Sequence, residues 1–459
     1  MSVEEAIELL QTLMFAKTSK HLDNLQLSVL RGAIENKTYE QIAETYCFST
    51  AHAKAVGANL WRVFSEVFGT KVNKRNFLVV LQRRLGEWEL QENFPILNSQ
   101  SSVAELPGGQ VPLDSKFYVE RPPIEKYSYQ VILQPGALIR IHAPRQMGKT
   151  SLMARILHQA RKQGYRTVTL NFHLATRDVF TNLDRFLQWF CASVGKSLGL
   201  PNQLADYWDD IFGSNYNSTE YFENYLLAQI DSPVVLGLDE VDLVFQYPEI
   251  ASDFFGLLRA WNEKAKYGNS LSDVWTKIRL VVVHSTEVDT RLNLNQSFFN
   301  VGLSIELPKF TSEQVQDLAR RHGLDLETIH VEEFTSLMGG YPHLVRKGLY
   351  HIWYQYVTLD YLLSEAATKE IVYGEHLRQK LSNLQQYPEL CRAFSQVTNS
   401  PTPVELDRVQ ALKLYSMGLV HLQGNQVIPS CGLYRQYFSA SLSYQGQPLS
   451  PQPTSDLRF

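Results

Sequence analysis

Positions 137 to 150 read Ala-Leu-Ile-Arg-Ile-His-Ala-Pro-Arg-Gln-Met-Gly-Lys-Thr, and no other stretch limits the fold of this chain so sharply. The run Ala137 to Ile141 is apolar apart from Arg140, the composition of a strand buried in a parallel sheet. After the loop, Ser151 to Gln163 carries Leu152, Ile156 and Leu157 at helical spacing. Strand, loop and helix are the setting that the pattern G-x-x-x-x-G-K-[ST] requires. The candidate phosphate-binding residues are Ala143, Pro144, Arg145, Gln146, Met147, Gly148, Lys149, Thr150 and Ser151. Backbone N–H groups of such a loop, with the positive end of the helix dipole, cradle phosphates. Lys149 is expected at the β- and γ-phosphates of ATP, and the Thr150 hydroxyl on Mg²⁺. One position departs from the pattern, since Ala143 stands where the first glycine belongs. Alanine tolerates positive φ poorly, so the entry of this loop is expected to be shaped differently.

A second apolar strand, Pro233-Val-Val-Leu-Gly-Leu, ends in Asp239-Glu240. Ligands of α/β sheets gather at the carboxyl ends of the strands, which gives Asp239 the position to hold Mg²⁺. Glu240, one residue on, is the candidate general base for an attacking water. With Lys149 it forms the expected catalytic set, so hydrolysis is expected as well as binding. A third strand, Ile278-Arg-Leu-Val-Val-Val, runs into His284, Ser285 and Thr286. The strand end resembles that of P-loop ATPases of the AAA type, which place a polar sensor between the carboxylate strand and the γ-phosphate. The resemblance implies Ser285 or Thr286 in that role ahead of His284, and the alternative is a Ser/Thr cap after a core strand.

The chain has 459 residues, enough for about three domains of roughly 150 each. It is 44% hydrophobic and 20% charged, so it has the apolar content for real cores. The start, Met-Ser-Val-Glu-Glu-Ala, lacks the basic residues of a signal peptide, and no apolar run approaches the roughly 20 residues of a membrane span. Cys47, Cys191, Cys391 and Cys431 lie far apart without metal-ligand spacing and read as free thiols. A cytoplasmic protein without membrane contact is expected. The net charge of −4 argues against wholesale coating of nucleic acid, so any DNA contact must come from a local patch.

Such a patch lies near the N-terminus. Asn24 to Ile34 presents Leu27, Leu30 and Ile34 on one face, and Thr38 caps a short helix from Tyr39 to Tyr46. After a turn at Cys47-Phe48, Ser49 caps a longer helix with Val56, Leu60 and Phe64 directed inward. This is a helix-turn-helix pattern. Thr38-Tyr-Glu-Gln-Ile-Ala-Glu resembles the first helix of regulators of the response-regulator and sigma-factor type. The resemblance implies that Thr50, His52 and Lys54 face a DNA groove, and Lys71, Lys74 and Arg75 would supply phosphate contacts. The alternative is a protein adaptor, because the preceding segment is acidic at Glu4, Glu5 and Glu8.

The expected division is a helix-turn-helix domain at 1–90, a linker at 91–116, an α/β ATPase core at 117–310 and a helical lid at 311–374. A winged-helix-like domain at 375–441 and a disordered tail at 442–459 follow. The linker rests on Asn98-Ser-Gln-Ser-Ser and Leu106-Pro-Gly-Gly-Gln, the tail on Pro448, Pro451 and Pro453. In the lid, Thr311 caps a helix, a second runs near Val331 to Leu337, and a third from His343 to Tyr356 follows the turn at Gly340 and Pro342. Helices at His376 to Leu384, Pro388 to Val397 and Leu406 to Met417 lead into a hairpin, Val420 to Leu422 and Gln426 to Ile428. Only His421 offers positive charge on that wing, so its expected work is packing against the ATPase.

Glycine-any-proline in a small helical lid resembles the signal-transduction ATPases with numerous domains and their origin-recognition relatives. The resemblance implies that Gly340 and Pro342 close over adenine and ribose, and that Arg346 senses the γ-phosphate. Phe117-Tyr-Val-Glu120-Arg121-Pro-Pro-Ile-Glu125 is similar to the entry motif of the same group, with Arg121 and Glu125 matching and Glu120 and Pro122 departing from it. That motif lines the adenine side in the family. Arg145 through Ser151 matches the typical loop of the bacterial AAA-like domain, which resembles residues 117 to about 360. The first 85 residues or so resemble the helix-turn-helix domain of proteins associated with von Willebrand A and MoxR partners. Together these imply an α/β P-loop NTPase fold with a parallel sheet, flanking helices and a helical lid.

Two function classes remain open. One is a regulatory ATPase switch, with an effector or a MoxR- or vWA-type protein as partner. The other is a DNA-directed ATPase that assembles into homo-oligomers, a loader or transposition-type regulator. Arg291, Arg320 and Arg321 are all candidates for an arginine finger.

Overall fold

The computed structural model describes residues 10, 22, 24–35, 37–46, 48–68, 70–74, 76–77, 80, 105–267, 273–286, 297–368 and 372–443. The chain divides into two compact units, Met1–Leu106 and Pro107–Phe459.

In the first unit, α1 (Asn24–Ile34), α2 (Tyr39–Thr45) and α3 (Thr50–Phe68) follow one another closely. Thr38 and Gln41 exchange hydrogen bonds in a full capping box at the start of α2. Ser49 Oγ accepts the His52 N–H at 3.2 Å, fixing the start of α3. Leu30, Ile42, Leu60, Trp61, Phe64 and Phe77 share one core. Val56, expected inside, is only half-buried.

The second unit is built on five parallel strands. They are β1 (Leu138–Ala143), β2 (Arg166–Asn171), β3 (Val234–Asp239), β4 (Ile278–Ser285) and β5 (Leu303–Glu306), in the order β2-β3-β4-β1-β5. Alternate residues face opposite layers, as the two-residue period of a strand demands. Val281 and Val283 join one core, Leu280 and Val282 the other. Before β1 comes α4 (Ile124–Val131), and after it α5 (Lys149–Lys162). Leu152, Met153, Ile156, Leu157 and Ala160 of α5 are buried, and such side chains contribute roughly 1.5–3 kcal/mol each for all but the alanine. Gly237 on β3 makes this seating tight, since a Cβ there would lie 2.8 Å from Leu157 Cδ1 and 3.2 Å from Met153 Sδ. On the opposite face, α6 (Leu183–Ser197), α7 (Ser214–Tyr221) and α8 (Pro248–Tyr267) pack an aromatic layer that includes Phe172, Phe186, Phe190, Phe254 and Trp261.

Beyond β5 the chain is largely helical: α9 (Ser312–Arg321), α10 (Thr328–Met338), α11 (Pro342–Trp353), α12 (Leu359–Glu365), α13 (Gly374–Gln385) and α14 (Pro388–Asn399). Thr311 caps α9 through a second capping box with Gln314. Then come β6 (Val404–Glu405), α15 (Arg408–Ser416), β7 (Val420–Gln423), β8 (Gln426–Pro429) and α16 (Gly432–Ser443). The helix expected from Leu406 starts at Arg408, because Asp407 caps it by accepting from the Val409 and Gln410 N–H groups. The hairpin forms as expected, joined by β6 into a three-stranded antiparallel sheet, and α16 is an additional helix. The Pro-rich tail and most of the linker lie outside the described residues. Among the described residues no helix is long and apolar enough to cross a membrane.

Candidate nucleotide-binding site

Parallel register brings Ala143 opposite Ser285 and Asn171 opposite Asp239, so the loops after β1, β2, β3 and β4 emerge at one edge. A cavity of about 570 Å³ opens at that edge. Arg145 through Ser151 form one wall, and Asp239, Glu240 and Asp242 form another part.

The phosphate-type loop turns through two left-handed residues, Gln146 (φ 65°) and Gly148 (φ 89°). Ala143 does not need the positive φ feared for it, because it is the last residue of β1 and is extended. The loop entry is thus an extended strand end, and the left-handed turns come later, at Gln146 and Gly148. Ala143 and Pro144 present their carbonyl oxygens to Lys149 Nζ, at 3.0 Å each. Gly148 caps α5, so the helix dipole points its positive end at the cavity.

Thr150 Oγ1 lies 3.3 Å from Asp239 Oδ1. Burial raises the Asp239 carboxyl above its ordinary value, and the Thr150 hydroxyl opposes this. A hydroxyl beside a buried carboxylate is an oxygen donor set of the kind Mg²⁺ takes, with phosphates and waters completing the shell. No group of three or more His, Cys, Asp or Glu arranged to hold a metal occurs among the described residues. Glu240 adopts φ 55°, which turns its carboxylate into the cavity wall 3.9 Å from His173 Nε2.

Asp242 was not foreseen. It lines the cavity, its Oδ1 accepts the Ser285 N–H at 2.7 Å, and burial pushes its carboxyl up to about 6. Ser285 and Thr286 themselves do not line the cavity. The Ser285 backbone is bound to Asp242, and Thr286 Oγ1 donates at 3.0 Å to the carbonyl oxygen of Ser416, the last residue of α15. Asn171 and His173, beyond β2, line the cavity too. The third carboxylate in Asp239-Glu-Val-Asp242 was a legible signal; the strand neighbour of β3 was not.

Arg121 is 3% exposed, and its Nη1 donates to Met147 O at 2.8 Å. Its backbone N–H donates to Glu125 Oε2, whose Oε1 accepts the Tyr118 hydroxyl. Arg121 therefore braces the phosphate-type loop from below while lining the cavity. Gly340 (φ 66°) does not line it; its carbonyl accepts the Phe310 N–H at 2.8 Å. Pro342, His343 and Arg346 do line it, at the start of α11. Arg346 lies over the Phe117 ring at 5.3 Å, and burial holds the His343 imidazole down to about 4, hence neutral near pH 7. Of the arginine-finger candidates, Arg320 is exposed, Arg321 bonds to Lys116 O and Tyr118 O, and Arg291 lies outside the described residues.

In the first unit, Thr50 is half-buried, and His52 and Lys54 are exposed on α3. Lys54 Nζ pairs with Glu40 Oε1 at 3.1 Å. Lys71 is exposed, Lys74 Nζ donates to Lys37 O and sits 5.4 Å from the Tyr39 ring, and Arg75 lies outside the described residues. Trp61 and Phe64 are buried in the core of this unit.

The family model of the vWA-MoxR associated protein N-terminal helix-turn-helix matches residues 1–84. An uncharacterized WD repeat-containing protein of Synechocystis is 25% identical over 264 residues, 55% of this chain. The chain spans about a fifth of that relative, 21% of its length. A Walker-type ATPase of Pyrococcus abyssi superposes with a TM-score of 0.51 at 12% identity, covering 70% of this chain and 96% of that one. Cdc6p from Pyrobaculum aerophilum gives 0.36 at 15%, covering 72% and 97%. The Pyrococcus likeness is one of fold. The AAA-like domain model matches residues 106–440, and the chain therefore belongs to the AAA-like domain family of P-loop ATPase fold.

Proposed function

We propose that this chain binds ATP with Mg²⁺ in the cavity beside α5 and hydrolyses it as a regulatory switch. The observation that carries the reading is the convergence, in one cavity, of a dipole-backed loop, Lys149 and three carboxylates. Loop N–H groups and Lys149 bind the β- and γ-phosphates, exchanging the ammonium's bonds to Ala143 O and Pro144 O for charged phosphate oxygens. Thr150 and Asp239 would hold Mg²⁺, which when bound neutralises phosphate charge. Glu240 takes the proton of the attacking water. Arg346 and His343 face the same cavity from the lid, so lid packing depends on what fills it.

The segment after the lid supports the switch. We read 375–441 as a winged-helix-like module, given α13, α14 and α15 and the three-stranded sheet that β6, before α15, forms with the β7–β8 hairpin after it. Thr286 bonds Ser416 O, Tyr341 OH bonds Gly418 O, and Tyr415 OH bonds Glu306, so strand ends and lid both touch it. A reducing, cytoplasmic setting fits the buried free thiols Cys191 and Cys431. The partner of the N-terminal unit is an effector or vWA- or MoxR-type protein.

A second reading is favoured by the exposed His52 and Lys54 on α3: a DNA-directed ATPase that oligomerises on duplex. The deciding experiment is ATP turnover by the purified chain with and without duplex DNA. Turnover unaffected by DNA supports the switch; DNA-stimulated turnover with assembly supports the second reading. No ATP binding in either condition refutes both.

A further inference from the structure

Residues Pro107 to Pro112 run across α5 as a strap, and Pro107, Gly109, Gln110 and Val111 line the cavity. Two pins hold the strap. The Val111 N–H donates to Ser151 Oγ at 2.9 Å. Arg155, one helical turn further along α5, donates through Nη1 to Val111 O at 3.1 Å and through Nη2 to Pro112 O at 2.7 Å. Such a planar fork fixes two carbonyls at once, which a lysine ammonium does not do. The Arg155 guanidinium also lies 3.4 Å from the centre of the Tyr118 ring. From Tyr118 the contacts continue through Glu125 to Arg121, and from Arg121 to Met147 O in the loop. One connected network thus joins the strap to the phosphate-type loop.

We propose that Pro107–Pro112 is a wall of the nucleotide site, and that Arg155 is the positioning residue that holds it shut. The inference rests on the ATP reading above. Gly108 and Gly109 make the strap costly to order without its pins, because glycine loses the most backbone freedom. Ligand binding and strap order are then linked and must favour each other by the same factor. The strap begins at Pro107, the first residue of the second unit.

The test uses the full chain, a fluorescent ATP analogue and hydrogen exchange at the Gly108 to Val111 amides. In wild type, ATP should slow exchange at these amides. Arg155→Ala should weaken the analogue by about tenfold, roughly 1.4 kcal/mol, and abolish the ATP-dependent protection, leaving exchange in β3 unchanged. Arg155→Lys should not restore the wild-type affinity, since it lacks the fork. Should Arg155→Ala fail to fold, Val111→Gly strips the wall while keeping both main-chain bonds, and the same loss of affinity is expected. If wild type binds ATP yet strap exchange is unchanged, or if the variants keep wild-type affinity, the strap inference is overturned while the ATP reading stands. If wild type binds no ATP, both fall.

Discussion

Asp242→Asn should stabilise the protein at neutral pH and not at acidic pH. Burial is the main cause that raises the Asp242 carboxyl from 3.8 to about 6; Glu240 adds to it, and Lys149, Arg145 and the Ser285 N–H oppose it. A carboxyl with a raised folded-state value favours the folded protein when protonated. That contribution is fully present below the unfolded value of 3.8 and is lost as pH rises through about 6. A shift of about two units at ~1.4 kcal/mol each makes the ionised carboxylate cost on the order of 3 kcal/mol at pH 7. An asparagine carbonyl still accepts the Ser285 N–H but carries no charge, so it avoids that cost. Thermal melts in EDTA without nucleotide should show Asp242→Asn above wild type by several degrees at pH 7. The gap should close towards pH 4. A variant that melts at or below wild type at pH 7, or by the same margin at both pH values, would refute the burial argument.

Lys149→Ala should abolish ATP binding by calorimetry, because it removes the cation that the loop presents to the β- and γ-phosphates; wild-type affinity would move the site elsewhere. Glu240→Gln should bind ATP normally yet turn it over about 10²–10⁴ times more slowly, and an unchanged rate would take the general-base role from Glu240. If α3 reads DNA, Lys54→Ala should weaken duplex binding by the full chain and lower its salt slope by about one unit. Binding indifferent to salt, or to Lys54, leaves the adaptor reading of the first unit.

Features built from neighbouring residues could be read along the chain. An apolar strand, Gly148-Lys149-Thr150 and an amphipathic helix are neighbours in the chain, so β1, its loop and α5 could be read directly. Asp239 and Glu240 were legible for the same reason, at the end of an apolar run. The caps Thr38, Ser49 and Thr311 act within three residues, and they marked helix starts correctly. Tertiary structure alone decided which polar groups face the cavity. Strand order sets β4 between β1 and β3, which commits the Ser285 N–H to Asp242, 43 residues away. Thr286 is drawn to Ser416, 130 residues away, and so leaves the sensing position its sequence suggested. Arg155 looks like an ordinary surface cation until folding buries it against main-chain carbonyls, and the entry motif that singled out Arg121 gave no sign of its bond to Met147 O. Periodicity and propensity report how a segment meets its own neighbours. A buried hydrogen bond must be completed by whatever group the fold brings within about 3 Å, and that partner is fixed by packing between distant elements.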